Sequence, residues 1–322
     1  MDLQVKSSSF FSFDYKNSSS KDCVLHKQSL KGIREALTLD LHSKEIKRLQ
    51  IAAIEHRRLL FQLGENHSIK LHYGACLSMT EIVVTLYLYW MNIDKGNLES
   101  AARDRFILSK GHAAPSLYIV LYQAGFLNEE DFHCYRELNS IFQGHPDRNK
   151  TLGVDCTTGS LGQGLGVSVG MAWGYRQKGI QNRTYCLISD GECNEGSIWE
   201  SALIASNAKL DNLIVFLDKN SKSSFGLMKD RNDVEPLGDK WRSFAWEVID
   251  IEGHDIQQIT NALQEATSSK NGKPKIIIAH TIKGKGIPYS ENNFVRSSSF
   301  LSKEHLIESR SQLDKDEIWL SK

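Results

Sequence analysis

The sequence predicts an α/β fold in which helices flank a doubly wound, mostly parallel sheet. Four short segments have the character of strands: 184–188, 213–217, 246–251 and 275–280. The first two are rich in β-branched and aromatic residues, as buried parallel strands are. Helical segments at 198–208 and 255–269 separate the strands. This alternation is typical of parallel strands joined by crossover helices.

Five more elements are predicted before the strand at 184–188: a helix at 43–63 ended by Gly64, a helix that starts at 78–81 and continues into the apolar run 82–91, a strand at 104–109, a helix at 115–124 and a Gly-rich helix at 161–179. Apolar residues recur at helical spacing in the first, and a glycine that follows such a pattern is a stop signal. In the second, Ser78 and Glu81 have the spacing of a capping box.

Three segments are expected along the chain. Residues 1–30 contain two serine clusters and predict a flexible extension, and residues 31–290 predict one ligand-binding domain. Residues 291–322 are polar and predict an irregular tail.

Composition argues against several classes of protein. The 322 residues include 39 basic and 39 acidic side chains, so the net charge of zero does not favour a nucleic-acid partner. The six cysteines lack the spacing of zinc sites, and the longest apolar run is too short to cross a membrane. No secretory signal pattern begins the chain, so we expect a cytoplasmic protein.

Two polar residues follow the first two of these strands directly. Asp190 comes after the strand at 184–188 and Asn220 after the strand at 213–217. Ligands gather at the carboxyl ends of parallel strands, and Mg²⁺ prefers oxygen ligands. With a main-chain carbonyl near Lys222, this layout predicts a Mg²⁺ and diphosphate site, although Asp-Gly and Asn are also ordinary turn residues.

Three histidines lie in loops beside glycine: His72, His112 and His145. Glycine lets the backbone approach a ligand, and imidazole can donate a hydrogen bond to phosphate near neutral pH. Each histidine alone is equally compatible with a surface or capping role. Their shared surroundings favour a common pocket.

A glycine-rich segment, TTGSLGQG at 157–164, opens a predicted helix. It is not a Walker loop, because no Gly-Lys-Ser/Thr follows, and it lacks a dinucleotide fingerprint. It therefore predicts either cofactor contact through the backbone or close helix packing.

Together these motifs resemble the transketolase family, specifically its N-terminal, thiamine diphosphate-binding domain. The matching segments, in family order, are LSKGHAAP at 108–115, GHP at 144–146, TGSLGQG at 158–164, DGECNEG at 190–196, KLDNL at 209–213 and TIKGKG at 281–286. The resemblance covers most of the chain and implies the thiamine diphosphate-binding fold, with its diphosphate (PP-type) domain.

The resemblance also implies roles for individual residues. Asp190, the Asn220 side chain and the main-chain oxygen of Lys222 would bind Mg²⁺, and Gly191 and Asn220 would contact the cofactor diphosphate. Gly159 and Leu161 would support the bent cofactor.

Further implied roles concern the substrate and a second subunit. His112 would face the diphosphate and thiazolium, and His72 and His145 would line the channel for the ketose donor. Glu195 matches a cofactor-linked glutamate at the family's subunit interface.

The family's pyrimidine-binding domain, which carries the glutamate that activates the cofactor, has no room in this chain. The resemblance therefore implies an enzyme that is active only with a separate C-terminal subunit, in a heterotetramer. It would transfer a two-carbon ketol (glycolyl) unit from a ketose donor to an aldose or a carrier-bound acceptor.

Four positions depart from the family pattern. Ser189 stands where glycine is usual, Phe225 where aspartate is common, and Arg296-Ser297 where split members have Trp-His. His280 does not align with the absent histidine, whereas His305 is a possible substitute. These departures leave the acceptor open.

Two other functions stay open. One is decarboxylation of a 2-oxo acid by the same cofactor, although the segments at 144–146 and 161–164 favour a transketolase. The other is a catalytically silent regulatory partner. Asp190, Asn220 and the three histidines argue against silence, because no structural need demands them together.

Overall fold

The computed structural model of the chain describes residues 20–67, 69–94, 96–98, 100–223, 226–292 and 301–321, with side chains from residue 42 onward except that of Asn292. Two compact units are distinguished, residues 1–46 and 47–322. The described part of the first unit is helical from residue 20. The predicted flexible extension covers residues 1–30. Residues 1–19 lie outside the described residues, and residues 20–30 belong to helix α1, Ser20–Asn66.

A parallel sheet of five strands forms the centre of the second unit. The strands are β1 (Arg105–Leu108), β2 (Thr184–Ser189), β3 (Leu213–Lys219), β4 (Glu247–Glu252) and β5 (Lys275–His280). Their spatial order is β1-β2-β3-β5-β4, and every neighbouring pair is parallel. The predicted fold class is confirmed.

Helices precede, connect and follow the strands. They are α2 (Tyr73–Leu77), α3 (Thr80–Thr85), α4 (Ala114–Gln123), α5 (Gln163–Gln177), α6 (Gly196–Asn207), α7 (Leu237–Ser243), α8 (Ile256–Ser268), α9 (Pro288–Asn292) and α10 (Lys303–Ser321). A π-helical turn, Leu86–Trp90, continues α3. None of the described helices is both long and apolar enough to cross a membrane.

Both faces of the sheet are buried. On one face, Cys186, Ile188 and Val215 pack with side chains of α5, α6 and α7 in a single apolar cluster. Tyr185 and Phe216, which point to the opposite face in the strand alternation, are also fully buried. This double coverage explains why the strand sequences are continuous apolar runs.

Two helix-boundary predictions are wrong. Helix α1 continues past Gly64 to Asn66. The predicted capping box is absent, because α3 begins at Thr80 without a side-chain cap. Ser78 Oγ instead donates to Asp218 Oδ2 at 2.6 Å, and Glu81 Oε1 lies 2.7 Å from an Arg57 guanidinium nitrogen. Tertiary partners therefore take the groups that a local cap would have used.

Residues 303–321 of the C-terminal segment are polar, as predicted, but they form a helix and are not irregular. Helix α10 buries Leu306 and Leu313, which are seven positions apart and so share one face. The guanidinium of Arg58 on α1 lies 2.7 Å from Asp314 and 2.8 Å from Glu317. Two widely spaced apolar residues were too weak a pattern to predict this helix.

Candidate active site

A cavity of about 580 Å³ lies where β1, β2 and β3 end. Nine of the predicted site residues line it: His72, His112, His145, Gly159, Leu161, Asp190, Gly191, Asn220 and Lys222. They come from loops that are up to 150 positions apart in the sequence, and the sheet brings them together. Ser189, Lys110 and Lys283 also line this cavity.

Asp190 stands directly after β2 and is 3% exposed. Its carboxylate accepts hydrogen bonds from the backbone amides of Gly191, at 2.7 Å, and Ser221, at 2.6 Å. Burial, together with the negative charge of Asp218, raises the pKa of Asp190 to about 6. A carboxylate that ionises at this cost is stabilised by a bound cation.

Asp218, next to Asp190 in the sheet, has a different environment. It is fully buried and forms an ion pair with Lys110, which is 1% exposed. Ser78 and Thr281 also donate hydrogen bonds to it. Burial opposes its ionisation, but the charge of Lys110 and these hydrogen bonds outweigh burial and lower the pKa of Asp218.

The main-chain oxygen of Lys222, a predicted metal ligand, faces a lysine ammonium. Lys283 Nζ donates to this oxygen at 3.2 Å and to the carbonyl of Ser223 at 2.7 Å. Burial lowers the pKa of Lys283 to about 8. A Cβ at Gly74 would lie 2.8 Å from Lys283 Cγ, so only glycine leaves room for this lysine.

The three histidines occupy one side of the cavity. The rings of His72 and His112 meet edge to face, with centroids 5.1 Å apart. Burial, reinforced by the positive charge of Lys110, lowers the pKa of His112 to about 3, so its imidazole is neutral at physiological pH. His145 is exposed, and a Cβ at Gly159 would lie 3.3 Å from its ring.

The glycine-rich segment packs closely against the loop that follows β1. Thr158 Oγ1 donates to the carbonyl of Leu108 at 2.7 Å. A Cβ at Gly111 would approach Thr158 Oγ1 to 2.9 Å, and one at Gly164 would lie 2.6 Å from Ser109 Cβ. The segment therefore combines close packing with two residues, Gly159 and Leu161, that face the cavity.

Glu195 is exposed and does not line the cavity. It is the residue before α6, and its Cβ would lie 2.7 Å from a Cβ added at Gly162. The structure thus places this predicted residue beside the glycine-rich segment, on the outer surface.

The positions that depart from the family pattern have separate locations. Ser189 lines the cavity, whereas Phe225, Arg296 and Ser297 lie outside the described residues. His305 stacks on Tyr289, with ring centroids 4.3 Å apart, and is not a cavity residue. His280 contacts Asp250 instead of the cavity.

The oxygen atoms at the cavity fit Mg²⁺ with a diphosphate. Among the described residues, no group of three or more His, Cys, Asp or Glu side chains could hold a metal ion. Asp190 offers a carboxylate, Asn220 an amide and Lys222 a main-chain carbonyl. An octahedral Mg²⁺ ion bound by these three groups requires further oxygen ligands, which phosphates commonly provide.

The match to a family model decides the identity of this fold. The model described as "Transketolase, thiamine diphosphate binding domain" matches residues 51–317. The chain belongs to the transketolase family. The resemblance predicted from the motifs is confirmed, and the match also covers most of α10.

Two bacterial relatives of this transketolase-family chain are named as subunits. The 6-deoxy-6-sulfo-D-fructose transketolase subunit SqwG of Clostridium sp. (strain MSTE9) is 39% identical over 245 residues, which are 76% of this chain and 89% of the relative. A subunit of the apulose-4-phosphate transketolase of Actinobacillus succinogenes is 41% identical over 235 residues, covering 73% and 84% of the two chains.

Solved transketolases share the fold. The transketolase from Leishmania mexicana has a TM-score of 0.69 at 25% identity, and the Campylobacter jejuni enzyme a TM-score of 0.70 at 27% identity. Each alignment covers 86% of this chain, but only 45% and 48% of those two chains. The chain thus spans less than half the length of these solved enzymes.

Sequence reasoning missed several charged residues of the site. Lys110 and Lys283 lie inside motifs that were recognised, yet they were assigned no role, and Asp218, directly after the predicted strand at 213–217, was assigned none either. A charged residue within an otherwise apolar strand, such as Asp218 after Phe216-Leu217, was the available signal.

Proposed function

We propose that this chain is the N-terminal, diphosphate-binding subunit of a transferase that depends on thiamine diphosphate and Mg²⁺. With a separate C-terminal subunit it transfers a two-carbon ketol (glycolyl) unit from a ketose donor to an aldose or a carrier-bound acceptor. The observation that carries the proposal is the convergence of Asp190, Asn220, Lys222 and three histidines on one cavity.

The metal site in this proposal uses the oxygen atoms of Asp190, Asn220 and Lys222. Lys283 donates a hydrogen bond to the Lys222 carbonyl, and its ammonium lies in the same cavity. It is therefore suited to neutralise charge on a bound diphosphate. When bound, thiamine diphosphate supplies the nucleophilic carbon that ketol transfer requires.

The histidines have the residue chemistry that a ketose channel needs. His112 is neutral, so it can donate one hydrogen bond without adding charge. We assign His112 to the cofactor side, and His72 and His145 to the hydroxyl groups of the donor. Both subunit relatives are named for substrates with an anionic group, a sulfonate and a phosphate, which supports a charged sugar substrate.

Exposed apolar side chains support the need for a second subunit. Val167 and Trp173 on α5 are 40% and 48% exposed, and Leu203 and Ile204 on α6 are 51% and 49% exposed. Neighbouring apolar residues at a surface commonly mark an interface. In this proposal Glu195 lies at the contact with the complementary subunit, in a heterotetramer.

The cellular setting in this proposal is the cytoplasm. Five cysteines among the described side chains are free thiols, which supports a reducing compartment.

Calorimetry and an activity assay test the proposal together. We expect thiamine diphosphate to bind the chain mixed with its complementary subunit only when Mg²⁺ is present, and the loaded complex to cleave a ketose. Glu195→Gln should weaken assembly, whereas Glu265→Gln, at an exposed position on α8 and outside the apolar surface of α5 and α6, is the matched control.

Other outcomes would favour the competing functions. Release of carbon dioxide from pyruvate, without ketose cleavage, would assign the chain to the 2-oxo acid decarboxylases. Absence of thiamine diphosphate binding to the mixed subunits with Mg²⁺ present would contradict the proposal and favour a silent regulatory subunit.

A further inference from the structure

Glu192 is a buried carboxylate behind the cavity. It lies in the 3-10 turn Gly191–Asn194, two positions after Asp190, and is 0% exposed. It is not among the residues that line the cavity. A buried charge in this position requires several hydrogen-bond partners.

Its two oxygen atoms connect three separate segments. Oε1 accepts hydrogen bonds from Ser109 Oγ at 2.6 Å and from the Gly162 amide at 2.9 Å. Oε2 accepts from the Ser189 amide at 2.9 Å and lies 3.4 Å from the Ser189 hydroxyl. Ser109 and Gly162, the partners of Oε1, lie 83 and 30 positions before Glu192 in the sequence. Ser189, the partner of Oε2, lies three positions before it.

Each of these segments contributes residues to the cavity. Ser109 precedes Lys110 and His112, Gly162 follows Gly159 and Leu161, and Ser189 precedes Asp190 and Gly191. One carboxylate is thus hydrogen-bonded to the three loops that surround the predicted cofactor site.

We propose that Glu192 is a positioning residue, which holds the loops at 109–113, 158–162 and 189–191 in the register that forms the cavity. Hydrogen bonds to a carboxylate are stronger than those between neutral groups, so one side chain can fix all three loops. The dimensions of the cavity then depend on a group that does not touch its contents.

Close packing makes the loops at 109–113 and 158–162 interdependent. A Cβ at Gly164 would lie 2.6 Å from both Cβ and Oγ of Ser109, and one at Gly111 would lie 2.9 Å from Thr158 Oγ1. There is no room for one loop to shift without displacing its neighbour. Loss of the Glu192 hydrogen bonds at one loop therefore affects the others.

Ser189 adds a contact that the family pattern lacks. Where the family usually has glycine, the Ser189 hydroxyl reaches Glu192 Oε2 at 3.4 Å and the residue also lines the cavity. The departure therefore strengthens the link between Glu192 and the β2 loop.

The substitution Glu192→Gln tests the proposal because donors approach both oxygen positions. The NH₂ group of the glutamine must face either the Gly162 amide together with Ser109 Oγ, or the Ser189 amide. In both orientations an N–H donor meets a backbone N–H donor, and the two cannot form a hydrogen bond. We expect hydrogen–deuterium exchange of the full chain to accelerate about tenfold in segments 108–113 and 157–163, as expected for loss of a charge-assisted hydrogen bond.

Leu263→Ala is the matched control. Leu263 is a fully buried residue of α8, so this variant destabilises the core without a contact to Glu192. We expect it to lower the melting temperature without selective acceleration of the two loops. If the loops exchange at wild-type rates in E192Q, or equally fast in both variants, the positioning role is wrong.

Ser109→Ala provides a second test that removes one hydroxyl and preserves packing, so it remains informative even if E192Q does not fold. We expect faster exchange in segment 157–163, which contains none of the altered atoms. In the double variant with E192Q the effect of Ser109→Ala should shrink, since both changes break one network. Full additivity would overturn the shared network.

Binding of thiamine diphosphate also tests the role of Glu192, and this measurement rests on the proposed function. With the complementary subunit and Mg²⁺ present, E192Q should raise the dissociation constant of thiamine diphosphate about tenfold while stoichiometry is retained. A wild-type complex that does not bind thiamine diphosphate contradicts the proposed function but leaves the exchange test valid. Unchanged loop exchange contradicts the role of Glu192 even if the cofactor binds.

Discussion

Asp190, directly after β2, and Asp218, in the adjacent strand β3, have very different electrostatic environments. The Asp190 amide donates to the Asp218 carbonyl at 3.2 Å. Within the described part of the chain, Asp218 forms an ion pair with the buried Lys110, whereas Asp190 forms none and accepts two backbone hydrogen bonds. One carboxylate is therefore neutralised by the protein, and the other is available to a cation.

Replacement of Asp190 should separate metal binding from folding. In Asp190→Asn the amide NH₂ must face the N–H of Gly191 or Ser221, which costs one hydrogen bond, but the repulsion from Asp218 is also lost. We therefore expect the stability of the metal-free protein to change by no more than about 1–2 kcal/mol. Mg²⁺-dependent binding of thiamine diphosphate should fall at least a hundredfold. Thermal denaturation and calorimetry measure the two effects, and a large loss of metal-free stability would contradict this assignment.

Replacement of Asp218 should lower the stability of the fold strongly. Asp218→Asn leaves the Lys110 ammonium buried without its counter-charge, which typically costs about 3–5 kcal/mol. Urea denaturation should show this loss without any ligand. The double variant with Lys110→Met, which removes both charges, should recover part of it, and an equally unstable double variant would contradict the pairing.

The buried histidine of α1 should make stability depend on pH. His56 is fully buried between Gln123 and Ser116, and burial lowers its pKa from 6.5 to about 4. The unfolded chain binds this proton more tightly, so the contribution to stability is complete above pH 6.5 and is lost as pH falls towards 4. The change is about 3 kcal/mol.

Denaturation of His56→Gln between pH 7 and 4 measures this contribution. We expect the variant to lose a large part of the pH dependence seen in the wild type. His280→Gln, at an exposed position, controls for the loss of a histidine. The same slope in wild type and His56→Gln would show that another group dominates.

Two glycines of the same region should respond oppositely to alanine. Gly162 has a φ of +81°, and a Cβ there would lie 2.6 Å from Ser197 Oγ, so Gly162→Ala should destabilise the protein by about 1–3 kcal/mol. Gly170, within α5, has open space around it, and Gly170→Ala should stabilise the chain by up to about 1 kcal/mol. Chemical denaturation of both variants measures the two changes in stability. Equal changes would contradict the difference in packing around Gly162 and Gly170.

Much of the fold was predictable because its signals are local. The apolar runs at 184–188 and 213–217 became β2 and β3, and 275–280 became β5 without change of bounds. The short helix α7 and the helix α10 were not predicted. Their few buried residues, such as Trp241 and Leu313, form no long periodic pattern.

The sequence by itself determined the parallel α/β fold and nine residues that converge on the cavity, because strand periodicity and motif order are written along the chain. Only the tertiary structure decided which charges are neutralised. Ser78 and Lys110 meet Asp218 across 140 and 108 positions, and Ser109 meets Glu192 across 83. Such partners are selected by burial, since a buried carboxylate is stable only beside the donors that the folded sheet brings to it.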